Sequence, residues 1–441
     1  MDSMSKLMIL GGSNCQLHAL KRARARGIET VLIDYTAHPP GKELADVHIG
    51  VSTFDAEACI RAAKEERIDG VLAVGTDQPV LTAARVAEAC GLPTALSVEQ
   101  ALAVTNKREM KRLYLAAGIP TPAWQFLRGD GVFTDAEGKA QPFSLQAPFV
   151  LKPLDSQGQR GVFLARSEEE LLHDLPETLS FSGEDTCLVE EYIATAAQAD
   201  GAHRDSGEIT VSGWVRDGVF FPLTITDRLH YPDTVHIGVC TGHRYPSVYI
   251  AQKDEIIALC RQVTKAFSLT EGPFYFQILR RSSDGALFAN EIACRIGGAF
   301  EDITIPYLTG FDILDAAIDL ALGLPEHATA NVFPAPACHD DSAPQRCFVP
   351  LLFCRPGTVK HITPAETLLA LPGVADCAYN FKEGDTVPEM RNATARFGHA
   401  VIFGDPKEIG THVRRFFETL RVESTTGEDL LQRELTGFTE S

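Results

Sequence analysis

Three apolar runs of strand length open the chain, each followed by a segment with the three-to-four-residue apolar spacing of a helix. "KLMILGG" is a buried strand entering a glycine turn, and "CQLHALKRARARG" is an amphipathic helix stopped at Gly27. "ETVLIDY" and "DGVLAVGTD" repeat the strand pattern, while "DAEACIRAAKEER", opened by Asp55, and "QPVLTAARVAEACG", closing at Gly91, repeat the helical one. Strands alternating with helices of this length predict a parallel, right-handed βαβ sheet. Two further helices, "VEQALAVT" and "NKREMKRLYLAAG", lead to "IPTPAW", whose prolines suit an extended crossing into a new domain.

Past residue 124 the pattern shifts toward strands joined by turns. "FVLKP" and "GVFLA" flank a polar glycine loop, a helix is predicted near "SEEELLHDL", and "DTCLVEEYI" reads as a strand. Alternating strands "EITVSGWVRDG" and "VFFPLTITDRL" follow, then a helix, "KDEIIALCRQVTKAFS". "GPFYFQILRRSSDGALFANEIACRIGG" is a hairpin about the "SSDG" turn, and "DILDAAIDLALG" is helical. Two stretches read as connections: "ATAAQADGAHRDSG" (194–207) as a mobile polar loop and the Pro/Ala-rich segment near 325–345 as a linker. The remaining residues carry strand and turn signals before a last helix, "PKEIGTHVRRFFETL". The expected architecture is a multidomain α/β and α+β protein. Its parts are a parallel α/β domain at 1–104, a region with the glycine loop at 105–212, an antiparallel region at 213–345 and a β-rich C-terminal subdomain at 346–441.

Composition narrows the function. A chain of 441 residues fits two to four domains, and its 45% hydrophobic and 22% charged residues are those of an ordinary globular protein. The net charge of −19 argues against nucleic acid or a membrane surface as a partner, since phosphate binding wants the opposite sign. No long apolar segment opens the chain, and the eleven cysteines include no CxxC pair. A reduced, cytoplasmic protein is expected, without a zinc site.

The first domain invites a dinucleotide reading, with Gly11 and Gly12 after a strand and Asp34 closing the next. Glycines admit a pyrophosphate and an acid accepts ribose hydroxyls. GxGxxG is not met, however, so a parallel sheet with a plain glycine turn explains the same residues. The sharper signal is "FVLKPLDSQGQRGVFLA". Its loop, Ser156 to Gly161, can turn backbone N–H groups onto phosphate oxygens, and Lys152 on the entering strand adds a point charge. "CLVEEYI" ends in Glu190 and Glu191, an edge able to hydrogen-bond a purine, and Glu208 starts the next strand where ribose hydroxyls would lie. Across the later hairpin Gln277 and Glu291 face one side and can share an oxygen-seeking cation. Arg295 offers a fork for a phosphate or carboxylate. Taken singly, each has a plainer explanation: a solvated strand end, a satisfied amide, a surface ion pair. Their order and spacing group them.

"GTDQPVLTAARVAEACGLP", "NKREMKRLYLAAGIPTP", "FVLKPLDSQGQRGV", "LVEEYI" and "EIACRIGG" occur in the order found in the ATP-grasp superfamily of carboxylate–amine ligases, which the chain resembles over most of its length. The branch is that of the L-amino-acid ligases, and it looks like the halves of carbamoyl-phosphate synthetase and biotin carboxylase. The resemblance implies a pre-ATP-grasp α/β domain, a lid and a central domain that clamp ATP, and a small C-terminal subdomain. It implies that Lys107 and Lys152 hold ATP phosphates under a loop containing Ser156, Gln157, Gly158 and Gly161. Glu190, Glu191 and Ile193 would frame the adenine and Glu208 the ribose. Gln277 and Glu291 would hold Mg²⁺ (or Mn²⁺ in its place), Arg295 with Lys152 would carry the catalysis, and Arg295, His243 and Gly298 would meet the substrate. The implied reaction joins a small carboxylate and an amine with release of ADP through an acyl phosphate, and a homodimer is expected. Two positions depart from the family: an acid is replaced by Gln277, and the Asn of E-x-N-x-R by Ala293. Gln159 stands where the loop often has Ser. The Glu-x-x-His of the amino-acid pocket reads Cys240-Thr241-Gly242-His243. A nucleotide-binding protein without ligase activity, and an ATP-dependent carboxylase or purine-pathway relative, are the alternatives. His230, His236 and His243 lack tight metal spacing and are read as loop or pocket residues.

Overall fold

A computed structural model describes residues 5–195, 207–231, 237–325 and 345–435. The loop read at 194–207, the linker near 325–345 and His236 lie wholly or mostly outside these residues. The first domain is the predicted parallel sheet, with strands in the order Val47–Ile49, Glu29–Ile33, Lys6–Leu10, Gly70–Ala73. Its strands are apolar on both faces because both are covered. Met8, Leu10, Val31 and Ile33 pack toward the Ala56–Glu66 helix, and Leu7, Ile9 and Leu32 toward the Leu17–Ala25 and Ile313–Leu322 helices. Parallel sheets of this kind lose the alternation that marks a half-exposed strand.

The lid is a five-stranded antiparallel sheet in which Phe149–Pro153 lies between Phe163–Ala165 and Thr186–Glu191. Phe149 and Leu151 point into a core with Val189, Leu171 and Leu175. Alternation then sends Val150 and Lys152 to the other face, together with Glu190, the register partner of Val150. That parity is why a lysine stands inside an apolar run.

The central sheet has eight strands, from Leu287–Ala293 and Gly272–Arg280 through Glu208–Arg216, Val219–His230 and Cys240–Tyr245 to Arg346–Leu352, Gly398–Gly404 and Val374–Tyr379. Phe274, Phe276 and Ile278 pack under the helices Pro79–Cys90, Val98–Thr105 and Lys253–Ala266, which turns Tyr275, Gln277 and Leu279 to the opposite face. Two expected boundaries are corrected by this topology. The break at 212 falls inside the strand Glu208–Arg216, whose ladder to Gly272–Arg280 runs unbroken from Glu208 to Val215. The C-terminal region is not a separate layer, since three of its strands complete the central sheet and only Gly357–Ile362, Thr386–Val387 and Val422–Ser424 form a sheet of their own. The helix Glu301–Thr309 was not foreseen: it begins after Phe300, whose φ is 63°, and contains Pro306, so its sequence reads as a breaker. Among the described residues no helix is long and apolar enough to cross a membrane.

Candidate active site

The lid and central sheets turn the faces bearing Lys152 and Gln277 toward a cavity of about 930 Å³ that also reaches the first domain and the C-terminal strands. Every predicted site residue lines it except Gly161, at the end of the loop, whose carbonyl accepts from Thr178 Oγ1 at 3.0 Å.

At one end the cations are held against acids. Lys152 Nζ lies 2.7 Å from Glu190 Oε2 and donates to Asn290 Oδ1 at 3.1 Å. Lys111, four residues after Lys107 on the same helix, also reaches Glu190 and Thr121 Oγ1. Glu190 is 2% exposed. Burial alone would raise its carboxyl, but the two ammonium groups hold it at about 2. Burial pulls the Lys111 ammonium down, whereas for Lys152 burial is outweighed by Glu190 and Glu291, and its pKa rises. Lys107, at the first turn of a helix capped by Asn106, donates to the Ser156 carbonyl at 3.4 Å and sits 3.5 Å from Glu291. The Glu190 carboxylate thus holds the two lysines at the edge of the cavity. Glu191 Oε1 accepts from the Gln146 N–H at 3.1 Å, while Glu191 and Ile193 both edge the cavity.

The loop closes over this end. Gly158 and Gln159 have φ of 71° and 57°, which turns successive peptides over the cavity. Gln157 Oε1 accepts from the backbone N–H of Asp77 and Gln78 at 2.9 and 3.1 Å, and the Gly158 carbonyl accepts from Ala393 at 3.2 Å. The loop thus touches both the first domain and the C-terminal part. Ser156 Oγ is buried without a hydrogen-bond partner among the described residues, beside Lys107. An orphaned hydroxyl under a left-handed turn and next to a lysine fits a phosphate oxygen. Glu208 is buried too, bonded by Arg228 Nη1 at 3.1 Å and by His230 Nε2 at 2.5 Å. Burial would raise it, yet Arg228 and His230 hold it at about 2.

Gln277 and Glu291 are direct register partners, as the hairpin reading required. Next to them lies Asn290, whose Nδ2 donates to Gln277 Oε1 at 3.4 Å. A carboxylate and two amide oxygens are hard donors of the type a divalent cation such as Mg²⁺ accepts. The residues fit such an ion, with less negative charge than two acids would give.

The other end is assembled from distant segments. Arg295 stacks over the Tyr275 ring at 4.7 Å and is clamped by Asp77, whose Oδ1 accepts from Nε at 2.9 Å and Nη2 at 2.5 Å. Gly298 lies so close to the first domain that a Cβ there would meet the Gly75 carbonyl oxygen at 2.6 Å. His243 is buried, with its pKa pushed down to about 3 by burial and by Arg228, and is therefore neutral at physiological pH. Arg396 donates to the Gly298 carbonyl at 3.4 Å. Asp34 is used structurally: its carboxylate accepts from Gly12 N–H at 2.9 Å and Thr36 N–H at 2.8 Å, which satisfies the turn that suggested a dinucleotide. Sequence reasoning missed Asp77, Lys111, Arg228, Asn290 and Arg396. Only Lys111 left a signal, its i+4 spacing from Lys107 on one helical face.

Residues 350–424 match the family described as L-amino acid ligase C-terminal domain 2. The chain is 26% identical over 311 residues to an L-arginine-specific L-amino acid ligase of Bacillus subtilis, an alignment covering 67% of this chain and 66% of that protein. It is 23% identical over 322 residues to the carbamoyl phosphate synthase large chain of Clostridium beijerinckii, covering 70% of this chain but 27% of that one. Among solved structures, the L-amino acid ligase of Bacillus licheniformis superposes with a TM-score of 0.76 at 16% identity, covering 96% of this chain and 100% of that one.

Proposed function

We propose that the chain is an ATP-grasp carboxylate–amine ligase, an ATP-dependent enzyme joining an amino acid or similar small carboxylate to an amine; its likeness to L-amino acid ligases supports this reading. ATP-grasp ligases take ATP with Mg²⁺, and one observation carries the reading for this chain. Lys107, Lys152 with the Ser156 hydroxyl that has no partner among the described residues, and Glu291 come from three separate segments and meet in one cavity.

In the first step a carboxylate oxygen of the substrate attacks the terminal phosphorus, the bridging P–O bond breaks and ADP leaves. In the second an amine nitrogen attacks the acyl carbon, the C–O bond to phosphate breaks, and the nitrogen loses a proton. The protein's part is alignment and charge neutralisation. Lys107 and Lys152 exchange their carboxylate partners for phosphate oxygens. Arg295 faces the oxygen that gains charge at the acyl carbon. The 156–161 loop, latched through Gln157, excludes the water that would hydrolyse the intermediate. A bound Mg²⁺ would supply further charge neutralisation at Gln277 and Glu291.

The test is ADP release with pooled amino acids. Lys107→Met is a cleaner variant than Lys152→Ala, because Lys152 also neutralises buried Glu190. Lys107→Met should cut ADP release by at least about a hundredfold while leaving the melting temperature nearly unchanged; near-normal turnover ends the assignment. A second reading, a nucleotide-binding protein without turnover, is favoured by the missing acid at Gln277 and the missing Asn at Ala293. It predicts nucleotide binding with no phosphate release from any acid and amine pair.

A further inference from the structure

We propose that Asn290 supplies an oxygen ligand to the divalent cation held by Gln277 and Glu291, standing in for the donor that Ala293 lacks. The inference rests on the ATP-ligase reading and deepens it. It starts from the register of the hairpin. Gln277 pairs with Glu291, yet the next residue, Ile278, pairs with Ala289, so Asn290 has no residue opposite it and forms a bulge. In a regular strand residues 290 and 291 would point to opposite faces. The bulge re-aims one of them, and both Asn290 and Glu291 line the cavity, while the flanking Ala289 and Ile292 are buried in the core.

Among the described residues, the side-chain hydrogen bonds of Asn290 stay within the site. Its Oδ1 accepts from Lys152 Nζ at 3.1 Å and its Nδ2 donates to Gln277 Oε1 at 3.4 Å. Lys107 and Lys152 lie 3.5 and 4.0 Å from Glu291. Ammonium groups thus lie against Asn290 Oδ1 and Glu291 Oε1. Phosphate oxygens that recruit these lysines would release the oxygens of both residues together. One carboxylate and two amide oxygens then face the same space, a donor set of net charge −1 that suits a hard divalent cation already partnered by phosphate. Ala293, two residues on, is buried and has no donor to offer.

The test measures metal binding directly: Mn²⁺ is titrated into the full-length protein with ADP, free Mn²⁺ being read by electron paramagnetic resonance. Asn290→Ala should weaken Mn²⁺ at least about tenfold in the ADP-loaded protein, and Asn290→Asp, the same shape with an anionic oxygen, should bind Mn²⁺ as tightly as the parent or more so. If Asn290 only orients Lys152, Asn290→Ala will weaken ADP measured without metal, leave the Mn²⁺ affinity within twofold, and overturn the proposal. Loss of Mn²⁺ binding in Asn290→Asp also overturns it, and this isosteric variant covers the case in which the alanine protein does not fold. A parent protein that binds neither ADP nor Mn²⁺–ADP would overturn the nucleotide reading itself.

Discussion

The two ends of the cavity are built on different principles. At the nucleotide end four cations have acids close by: Lys111 and Lys152 on Glu190, Lys107 on Glu291, and Arg228 on Glu208. At the other end Arg295 is matched by Asp77, but Arg396 has no carboxylate partner among the described residues, and its Nε is buried without a hydrogen-bond acceptor. The first arrangement sets four cations against three carboxylates and stores lysines for exchange. The second leaves an uncompensated cation facing the space where substrates would lie. Nucleotide binding should therefore depend on ion-pair exchange, and substrate binding on filling an electrostatic vacancy.

The largest effect expected from this contrast is at Glu190. Glu190→Gln would leave Lys111 and Lys152 buried with their charges unmatched, at a cost of about 3–5 kcal/mol. Its carboxyl sits at about 2 in the folded protein against an ordinary 4.5. A depressed carboxyl stabilises the fold above its unfolded value, so this contribution is complete above pH 4.5 and fades as pH falls toward 2. Denaturant melts at pH 7 and pH 3.5 should show a gap between parent and Glu190→Gln that narrows in acid. A gap independent of pH would mean that the pairing is not what holds the lysines.

Most of the nucleotide end was legible in the sequence because it is made of short local runs. The strand–loop–strand at 149–165 carries its own parity and turn signals, and the hairpin at 272–293 fixes its own register about one turn. What stayed hidden depended on events that no window shows. The bulge that brings Asn290 to the cavity face shifts the register between Gln277 and Ile278, and alternation alone puts Asn290 on the wrong side. The acceptor end was harder still. Asp77, Arg295 and Arg396 come from three remote segments, and Arg396 precedes a strand whose place in the central sheet was unforeseen. A sequence reading that treats 346–441 as a separate subdomain has no reason to put an arginine from it against Gly298.

A middle-sized effect tests that arginine. Arg396→Ala should raise KM for one of the two substrates about tenfold, the worth of one charge-assisted hydrogen bond, and leave ADP affinity unaltered. Lys107→Met should do the reverse. If Arg396→Ala weakens ADP as much as it weakens the substrate, the two ends are not separate and the contrast fails.

The smallest effect concerns how the acceptor end is held together. His18 of the first domain bonds Asp302 at 2.9 Å and lies 3.8 Å from Asp376, which in turn bonds His399 at 2.7 Å. This chain of side chains ties the Leu17–Ala25 helix to the Glu301–Thr309 helix and to the far edge of the central sheet, beside Phe300, which stacks on His399. Burial alone would lower the His18 pKa, but the two carboxylates raise it from 6.5 to about 9. A raised histidine stabilises the fold fully below its unfolded value, so its contribution is present below pH 6.5 and lost as pH rises through about 9. Solvent reaches part of the ring, so the contribution is on the order of 1 kcal/mol, about one or two degrees in a chain of this size. The parent should lose that margin between pH 6.5 and 9.5, and His18→Gln should not. KM for the carboxylate or amine should climb across that interval in the parent and not in His18→Gln. Equal alkaline slopes in the two proteins would place the docking energy elsewhere, in the apolar cluster that Leu20 of the first helix shares with Ile305 of the Glu301–Thr309 helix.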